Sequence, residues 1–391
     1  MALPTSRRSN RIARLTQSFI RSMTRECERV GGINLGQGVC DLPTPPAILA
    51  ASVQAIEEDI STYSKYEGVD ALRERIAAKA ASFNGLVNVD ADTDITVSIG
   101  STGAFNCVLQ GLFNPGDRII VFEPYYGYHV NTMVTAGIEP TFVTLPPPDW
   151  PLTRDNLESM IDERVRGILV NTPANPSGKV FSRTELQVIA ELCVKHDLLA
   201  ITDEIYEYIT YEAPHISLAS LPGMWERTVT ISGFSKTFSI TGWRLGYAIA
   251  PPHLSEAIGL VNDLLYICAP TPLQVGLAHG MATLEHTYYR QMAESYRSKR
   301  DLICSTLSDI GLTPCVPNGS YYVLADITPL GLSDDREAAM HILEEVGVAS
   351  VPGRSFFASD TGRGLVRFCF AKAHGVLEEA CARLQGLTLE D

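Results

Sequence analysis

The middle of the chain alternates between short apolar runs and amphipathic stretches, and this alternation limits the fold more than any other feature of the sequence. The apolar runs predict buried strands at Asp94–Ile99, Arg118–Phe122, Val165–Val170, Leu198–Thr202 and Thr228–Ser232. Helical patterns lie between them, at Thr102–Phe113, from Tyr128 onward, and from the capping box Ser182-Arg183-Thr184-Glu185 to about His196. The alternation predicts an α/β fold with a mostly parallel sheet and helices on both faces.

The pattern changes near Tyr288. A long polar helix over Tyr288–Leu307 is followed by shorter strands around Tyr321–Asp326 and Leu365–Phe370. A chain of 391 residues is long for one domain and sufficient for two. We therefore expect a large domain over residues 46–290, a smaller α+β domain over residues 291–391, and an N-terminal arm with part of the small domain over residues 1–45.

Charge and cysteine content exclude several classes of function. The net charge is −14 and the body of the chain has no Lys/Arg run, which argues against binding to nucleic acid or anionic membrane. No apolar run reaches the roughly 20 residues that a membrane span needs. The nine cysteines form no Cys-x-x-Cys pair, which indicates reduced thiols and a cytoplasmic location. The cysteines and histidines also form no cluster with the spacing of metal ligands, so we expect no metal site.

The N-terminus is the exception to the acidic balance. Six arginines precede the first acid, Glu26: Arg7, Arg8, Arg11, Arg14, Arg21 and Arg25. Such a segment resembles a transit peptide, or it is an arm that lies on the body of the protein. The first motif begins at Leu35 and leaves little chain to discard, which favours the arm.

Polar residues follow several predicted strands, where ligands of parallel sheets gather. Lys236 comes just after Thr228–Ser232, and the apolar residues Phe238, Ile240 and Trp243 indicate that it is buried. Desolvation lowers the pKa of an amine and makes it a nucleophile toward carbonyl groups. The alternative is an ordinary solvated lysine.

Asp203 ends the strand Leu198–Thr202, and Tyr206 follows three residues later. A buried carboxylate needs a partner, and a pyridinium N–H would satisfy it while keeping a cofactor ring protonated as an electron sink. Tyr206 would reach the phenolic oxygen of that ring. The alternatives are an N-cap aspartate and a core tyrosine.

Two features suit a phosphate group. Ser101 and Thr102 lie in a Gly-rich turn between a strand and a helix, where backbone N–H groups and the helix dipole attract anions. Arg244, eight residues after Lys236, offers a guanidinium fork for a dianion, or forms a surface salt bridge. The loop Asn171–Gly178 follows a strand and can point its amides at a ligand.

Arg367 lies inside the apolar strand Leu365–Phe370. A charged side chain at such a position needs a partner. A substrate α-carboxylate would fit by a bidentate pair, and a structural Asp or Glu would serve as well.

In combination, these residues resemble the class I/II aminotransferases of the fold-type I pyridoxal-phosphate (PLP) superfamily. The resemblance runs in order along nearly the whole chain and rests on these segments: Leu35-Gly36-Gln37-Gly38 with Asp41–Pro46, Asn175-Pro176-x-Gly178, Asp203-Glu204-x-Tyr206, Ser235–Gly246 and Arg367. Each segment alone is weak evidence for the family, whereas five segments in the same order are specific evidence.

The resemblance implies a role for each matching residue. Lys236 would hold PLP as an imine and later act as general base and acid, and Asp203 would pair with the ring nitrogen. The remaining cofactor contacts would come from Asn175 and Tyr206 at the phenolic oxygen, Tyr126 stacked on the ring, and Ser101, Thr102, Ser235 and Arg244 at the phosphate.

Arg367, helped by Asn175 and the Gly38 backbone, would bind the substrate α-carboxylate. Tyr63 matches a tyrosine that reaches the phosphate of the neighbouring subunit, which implies a homodimer with shared active sites.

The sequence departs from the family pattern at four places. Gly233 replaces a common serine, and Val39–Leu42 replaces Phe-Pro-Asp-Phe. The stretch Leu264–Ile267 has no arginine where dicarboxylate-specific relatives place one, which argues against aspartate and glutamate as preferred donors. Arg354 replaces a small residue and either binds a distal acid or faces solvent, with the solvent position favoured.

We therefore expect an aminotransferase that moves an amino group between an L-amino acid and a 2-oxo acid. The aromatic residues Tyr63, Tyr126, Phe356 and Phe357 favour an apolar or aromatic amino acid. One alternative is another PLP reaction, such as β/γ-elimination or oxidation. A second alternative is a non-catalytic PLP-binding regulator. Regulators of this kind carry an added DNA-binding domain, and the roughly 30 residues before the first motif are too few for one.

Overall fold

The computed structural model describes residues 9–15, 19–332 and 334–387. The strands are β1 (Ile33–Asn34), β2 (Ile95–Ile99), β3 (Arg118–Glu123), β4 (Glu139–Thr144), β5 (Val165–Asn171), β6 (Leu199–Asp203), β7 (Thr228–Gly233), β8 (Leu245–Ile249), β9 (Thr313–Cys315), β10 (Tyr322–Asp326), β11 (Val348–Ala349), β12 (Val351–Pro352) and β13 (Leu365–Cys369). The α-helices are α1 (Asn10–Ala13), α2 (Phe19–Val30), α3 (Pro46–Glu57), α4 (Asp70–Lys79), α5 (Gly100–Leu112), α6 (Gly127–Ala136), α7 (Arg154–Glu158), α8 (Arg183–His196), α9 (Pro252–Tyr266), α10 (Thr271–Thr283), α11 (His286–Asp309), α12 (Asp335–Val346) and α13 (His374–Leu384).

The central element is a seven-stranded sheet in the order β2-β8-β7-β6-β5-β3-β4. Six of its strands run parallel, and β8 runs antiparallel to both of its neighbours. The predicted mostly parallel sheet is confirmed, and the five predicted strands match β2, β3, β5, β6 and β7 closely. The sequence analysis did not identify β4 or β8.

Both faces of this sheet are buried because consecutive side chains point to opposite faces. In β3, Ile119 and Val121 pack with α5 and α9, while Ile120 and Phe122 pack with α8 on the other side. Parallel strands that are covered on both faces show such continuous apolar runs. The capping box predicted at Ser182 is present and begins α8.

A second, four-stranded antiparallel sheet has the order β12-β13-β10-β9 and packs with α11 and α12, while α13 packs against α11. A short parallel pair, β1 with β11, joins the segment after α2 to this part of the molecule. Tyr206, which follows β6 of the large sheet, packs in the same core as residues of β10 and β13. The two sheets therefore meet at the carboxyl edge of the central sheet.

The first described residues lie against the body of the protein: α1 contacts α6, and the Arg11 guanidinium donates to the Thr135 carbonyl in α6 at 2.8 Å. Arg7 and Arg8 lie outside the described residues. Among the described helices, none combines the length and apolar character that crossing a bilayer requires.

A buried polar cluster lies behind the segment that follows β6. Glu207 pairs with Lys79 and accepts hydrogen bonds from Asn84 at 2.8 Å and Ser232 at 2.7 Å. His215 pairs with Glu204 at 2.8 Å. Burial acts to raise the pKa of the Glu207 carboxyl, but the charge of Lys79 and the hydrogen bonds from Asn84 and Lys79 outweigh this effect, and the pKa lies below its usual value. The cluster fixes the chain on both sides of Tyr206.

We predict that Lys79→Met destabilises the protein by about 3–5 kcal/mol, because it leaves the buried Glu207 carboxylate without its cation. The measurement is the free energy of unfolding in denaturant. Lys195→Met is the control, since Lys195 pairs with Glu158 at the surface and is 60% exposed. An equal effect of the two substitutions would contradict the importance of the buried pair.

Candidate active site

A cavity of about 330 Å³ opens where the two sheets meet. Eleven of the twelve site residues predicted from the sequence line it: Gly38, Ser101, Thr102, Tyr126, Asn175, Asp203, Tyr206, Ser235, Lys236, Arg244 and Arg367. The twelfth, Tyr63, lies elsewhere with 77% of its surface exposed. Residues that are up to 329 positions apart in the sequence, Gly38 and Arg367, therefore share one cavity.

Lys236 lies just beyond β7 and is partly buried. Its Nζ is 3.5 Å from the Gly38 carbonyl oxygen and 5.7 Å from the centre of the Tyr321 ring. Burial lowers the pKa of this amine below its usual value. A larger neutral fraction makes the amine a better nucleophile and base. The alternative of a solvated surface lysine is wrong.

Asp203 ends β6, and its carboxylate pairs with a histidine that the sequence analysis missed. His129 Nε2 is 2.8 Å from Asp203 Oδ2, and both side chains are buried. The ring of His129 also packs edge-on against Tyr126, with centroids 5.2 Å apart. The histidine holds the carboxylate at the cavity wall. Its position in α6, three residues after Tyr126, was the available signal.

Two further residues support the site: Asn171, which begins the loop noted in the sequence, and Tyr322, which the sequence analysis missed. The Asn171 side chain accepts from the Asn175 backbone N–H at 2.8 Å and donates to the Asp203 carbonyl at 3.0 Å. The Tyr206 hydroxyl donates to the Tyr322 hydroxyl at 3.4 Å. Burial raises the pKa of Tyr206 well above its usual value, so the phenol stays protonated and can donate.

The start of α5 forms an anion-binding cradle. Gly100 adopts φ +68°, and Ser101 and Thr102 follow in the first turn. A side chain at residue 100 would place its Cβ 2.4 Å from Arg244 Nη2, so the guanidinium lies directly against this turn. Arg244 donates to the Thr241 carbonyl at 2.9 Å and forms no ion pair with a described residue. The cradle suits a phosphate dianion.

Arg367 lies in β13 and is 1% exposed. Its Nη1 donates to Asn175 Oδ1 at 2.9 Å and its Nη2 to the Gly36 carbonyl at 2.6 Å. Its guanidinium lies 4.3 Å from the ring centre of Tyr322 and 4.7 Å from that of Phe356. Among the described residues no Asp or Glu pairs with it. An uncompensated buried charge that faces a cavity suits an anionic ligand.

Gly38 is required by a close approach. A Cβ at this position would lie 1.8 Å from the Tyr322 hydroxyl, and the Gly38 carbonyl accepts from the Tyr321 hydroxyl at 3.4 Å. The backbone carbonyl that meets Arg367 is that of Gly36.

Two of the departures noted in the sequence are explained by packing. Arg354 pairs with Asp334 at 2.8 Å and Asp335 at 2.6 Å, so the expectation that it faces solvent is wrong. At Gly233, a Cβ would lie 3.0 Å from Gly246 Cα and 3.1 Å from Ile205 Cδ1. The glycine therefore lets β7 and β8 approach closely beside Lys236.

Comparison with known families identifies this arrangement. Residues 30–384 match the family described as aminotransferase class I and II. The chain belongs to the class I and II aminotransferases. It is 34% identical to rat kynurenine–oxoglutarate transaminase 3, over 95% of this chain and 88% of the relative.

Two solved structures of aminotransferases resemble the fold closely. N-succinyldiaminopimelate aminotransferase from Mycobacterium tuberculosis gives a TM-score of 0.93 at 34% identity, over 97% of this chain and 99% of the other. A methionine aminotransferase from Escherichia coli gives 0.93 at 31% identity, over 99% of this chain and 100% of the other. The fold is therefore fold-type I.

The enzyme is a PLP-dependent aminotransferase that exchanges an amino group between an amino acid and a 2-oxo acid. The cavity fits the cofactor, because it is lined by an amine of lowered pKa, a buried carboxylate and a cradle for a phosphate. When bound, PLP supplies an electron sink for negative charge that develops at the substrate Cα.

We predict that Gly246→Ala displaces the phosphate cradle. A Cβ at residue 246 would lie 2.3 Å from the Ser101 backbone nitrogen, and backbone atoms cannot move aside cheaply. We expect a loss of about 1–3 kcal/mol in stability and roughly 10-fold weaker binding of PLP to the apoenzyme, about 1.4 kcal/mol.

The measurements are denaturant unfolding and a titration of apoenzyme with PLP. Gly242→Ala is the matched control, because no atom lies within 4 Å of a Cβ at that position. Equal behaviour of the two variants would contradict the tight contact between β8 and α5.

Proposed function

We propose that this aminotransferase uses Lys236 as its catalytic base and acid, with an apolar or aromatic L-amino acid as the amino donor. The observation that supports the assignment is that Lys236, Asp203 and Arg367 line one cavity. Lys236 and Arg367 form no ion pair with a described residue, and Asp203 pairs only with His129 among them. Lys236 binds the cofactor, Asp203 pairs with its ring nitrogen and Arg367 binds the substrate.

The roles follow from the contacts of each side chain. The neutral amine of Lys236 removes the proton from the substrate Cα and afterwards delivers a proton, while the Asp203 carboxylate, oriented by His129, holds a proton on the ring nitrogen. Tyr206 and Asn175 donate to the phenolic oxygen, and Arg367 fixes the α-carboxylate so that the Cα proton points at Lys236. Ser101, Thr102, Ser235 and Arg244 bind the phosphate.

The side chain of the donor would extend into a neighbouring cavity of about 460 Å³. Aromatic residues dominate its wall: Phe19, Tyr125, Tyr126, Tyr128, Phe356 and Phe357. Such a surface favours apolar or aromatic side chains. The names of the relatives, which include kynurenine and methionine aminotransferases, agree with a donor of this class.

We further propose a homodimer in which Tyr63 of one subunit completes the phosphate site of the other. Tyr63 is 77% exposed, and its hydroxyl makes no hydrogen bond with a residue that the structure describes. Large apolar side chains are exposed on α9 and α3: Leu260, Leu264, Leu265, Leu49, Val53 and Ile56. Exposed apolar surfaces of this kind mark interaction sites.

The remaining assignments are coarser. We propose the division into a large domain over residues 46–290 and a small domain built from residues 291–391 with part of residues 1–45. A cytoplasmic location is supported by the nine free cysteines, eight of them buried. The acidic net charge of −14 disfavours nucleic acid as a partner.

We predict that Lys236→Ala lowers the rate of amino-group transfer at least about 1,000-fold, because a positioned general base and the covalent anchor are lost together. The measurement is 2-oxo acid formation from a panel of amino acids with cofactor-loaded enzyme. In the wild type, transamination converts the cofactor to its amine form and consumes a 2-oxo acid. Ammonia release without any requirement for an oxo acid would instead indicate elimination or oxidation.

We predict that Leu264→Asp weakens the dimer at least about 10-fold, because a carboxylate without a partner would be buried at the interface. Leu264 is 84% exposed in the single chain. Sedimentation at several concentrations measures dissociation, and activity per chain should fall with it. Val87→Asp is the control, since Val87 is 73% exposed outside α3 and α9. A monomeric wild type with full activity would contradict the shared site.

A further inference from the structure

The first turn of the long helix α11 makes a contact beside Lys236 that the assignments above do not use. The Tyr288 hydroxyl donates to the Thr237 carbonyl at 2.6 Å, and Thr237 directly follows Lys236 in the chain. Burial raises the pKa of the Tyr288 phenol above its usual value, so the hydroxyl stays protonated and can donate. The half-buried side chain therefore links α11 to the backbone of the segment that carries the lysine.

The backbone around Thr237 depends on this donor. Thr237 is 4% exposed, and among the described residues no backbone N–H donates to its carbonyl. A buried carbonyl without a hydrogen bond is costly, so the phenol satisfies a group that the local backbone leaves open. Two residues later Ser239 adopts φ +57°, which is unfavourable for a residue with a Cβ. The segment after Lys236 is thus held by tertiary contacts rather than by its local preferences.

Aromatic packing fixes the phenol in place. The centroid of the Tyr288 ring lies 5.9 Å from that of Phe238 and 5.4 Å from that of Tyr289. Phe238 is 2% exposed and packs in the same core as residues of β2 and β8. Tyr288 also packs against the core that contains residues of β10 and β13. One side chain therefore contacts the cores of both sheets.

The rest of α11 belongs to the second sheet. The helix is 24 residues long and packs with β9, β10 and α13. It contributes five buried residues to the core of that sheet: Met292, Tyr296, Ile303, Cys304 and Leu307. Strand β10 pairs with β13, which carries Arg367. Packed elements therefore join the Tyr288 hydroxyl to the arginine that is proposed to bind the α-carboxylate.

We infer that Tyr288 is a positioning residue for the reaction: its hydroxyl holds the Thr237 carbonyl and so fixes the Lys236 amine relative to the second sheet. The inference rests on the proposed role of Lys236 as the base. The base lies on the segment after β7, whereas the Cα proton belongs to a substrate that is held by Arg367 of β13. Proton transfer needs the two at a fixed separation, and a small displacement is costly. Tyr288 does not line the cavity and acts through Lys236.

The experiment compares the holoenzyme with Tyr288→Phe, which keeps the ring and removes the hydrogen bond. An amino donor that the wild type accepts, with hydrogen or deuterium at Cα, is mixed with enzyme in the absence of an oxo acid. The absorbance of the cofactor follows its conversion to the amine form. We expect the rate constant at saturation to fall roughly 3- to 20-fold, and the half-saturating concentration to change less than about 2-fold because Arg367 is untouched.

The isotope effect tests which step is slowed. It should be at least as large as in the wild type, because a displaced base makes removal of the Cα proton the limiting event. Tyr289→Phe is the matched control, since Tyr289 packs in the same aromatic group and its hydroxyl makes no hydrogen bond with a described residue. We expect its rate constant to change less than about 2-fold, as for a hydroxyl without a partner.

The amplitude of the same reaction separates positioning from folding. A merely structural role of Tyr288 would lower the amplitude, which reports the fraction of active enzyme, and leave the rate constant of that fraction unchanged. This result would overturn the inference, as would a loss equal to that of Tyr289→Phe or an isotope effect that falls toward one. Failure of the proposed function is distinguishable, because Lys236→Ala would then retain turnover whatever the effect of Tyr288→Phe.

Discussion

Six parallel strands of the central sheet end at one edge, and the active site depends on that edge. The strand ends bring together the turn at Ser101, the Asn171 loop, Asp203 and Lys236, although they are far apart in sequence. The antiparallel strand β8 closes the arrangement, because it places Arg244 against the first turn of α5. The sheet can hold this geometry because its side chains are buried on both faces.

The second sheet contributes Arg367 to the active-site cavity. Arg367 is carried by β13 and reaches across to Asn175 of the large sheet, and the Tyr322 ring of β10 lies over its guanidinium. Catalysis needs the cofactor and the α-carboxylate in a fixed relation, because a shift of about 1 Å at a reacting centre is costly. The contact between the two sheets, with Tyr206 in the core of the second, provides that relation.

The charged residues of the active-site cavity differ from the charged residues elsewhere in the molecule. The protein is strongly acidic overall, whereas its active-site cavity is lined by three arginines, the amine of Lys236 and one carboxylate that is already paired. Cations gathered in a cleft attract acidic ligands from solution. Several buried charges elsewhere are neutralised by ion pairs within the chain, as for Lys79 with Glu207 and Asp335 with Arg354. The difference separates groups that stabilise the fold from groups that remain free for ligands.

The sequence by itself determined the α/β class, the five strands that carry the site, the cofactor and eleven residues that converge on one cavity. Apolar periodicity and ordered motifs are local properties, so they are readable without coordinates. Only the tertiary structure decided which charges are paired. Arg354 was expected to face solvent and is neutralised by two aspartates. The position of His129 shortly after Tyr126 did not reveal its contact with Asp203. Arg21 was one of six N-terminal arginines until α2 placed it in the cavity wall. Pairing depends on contacts between residues distant in sequence, which no local pattern records.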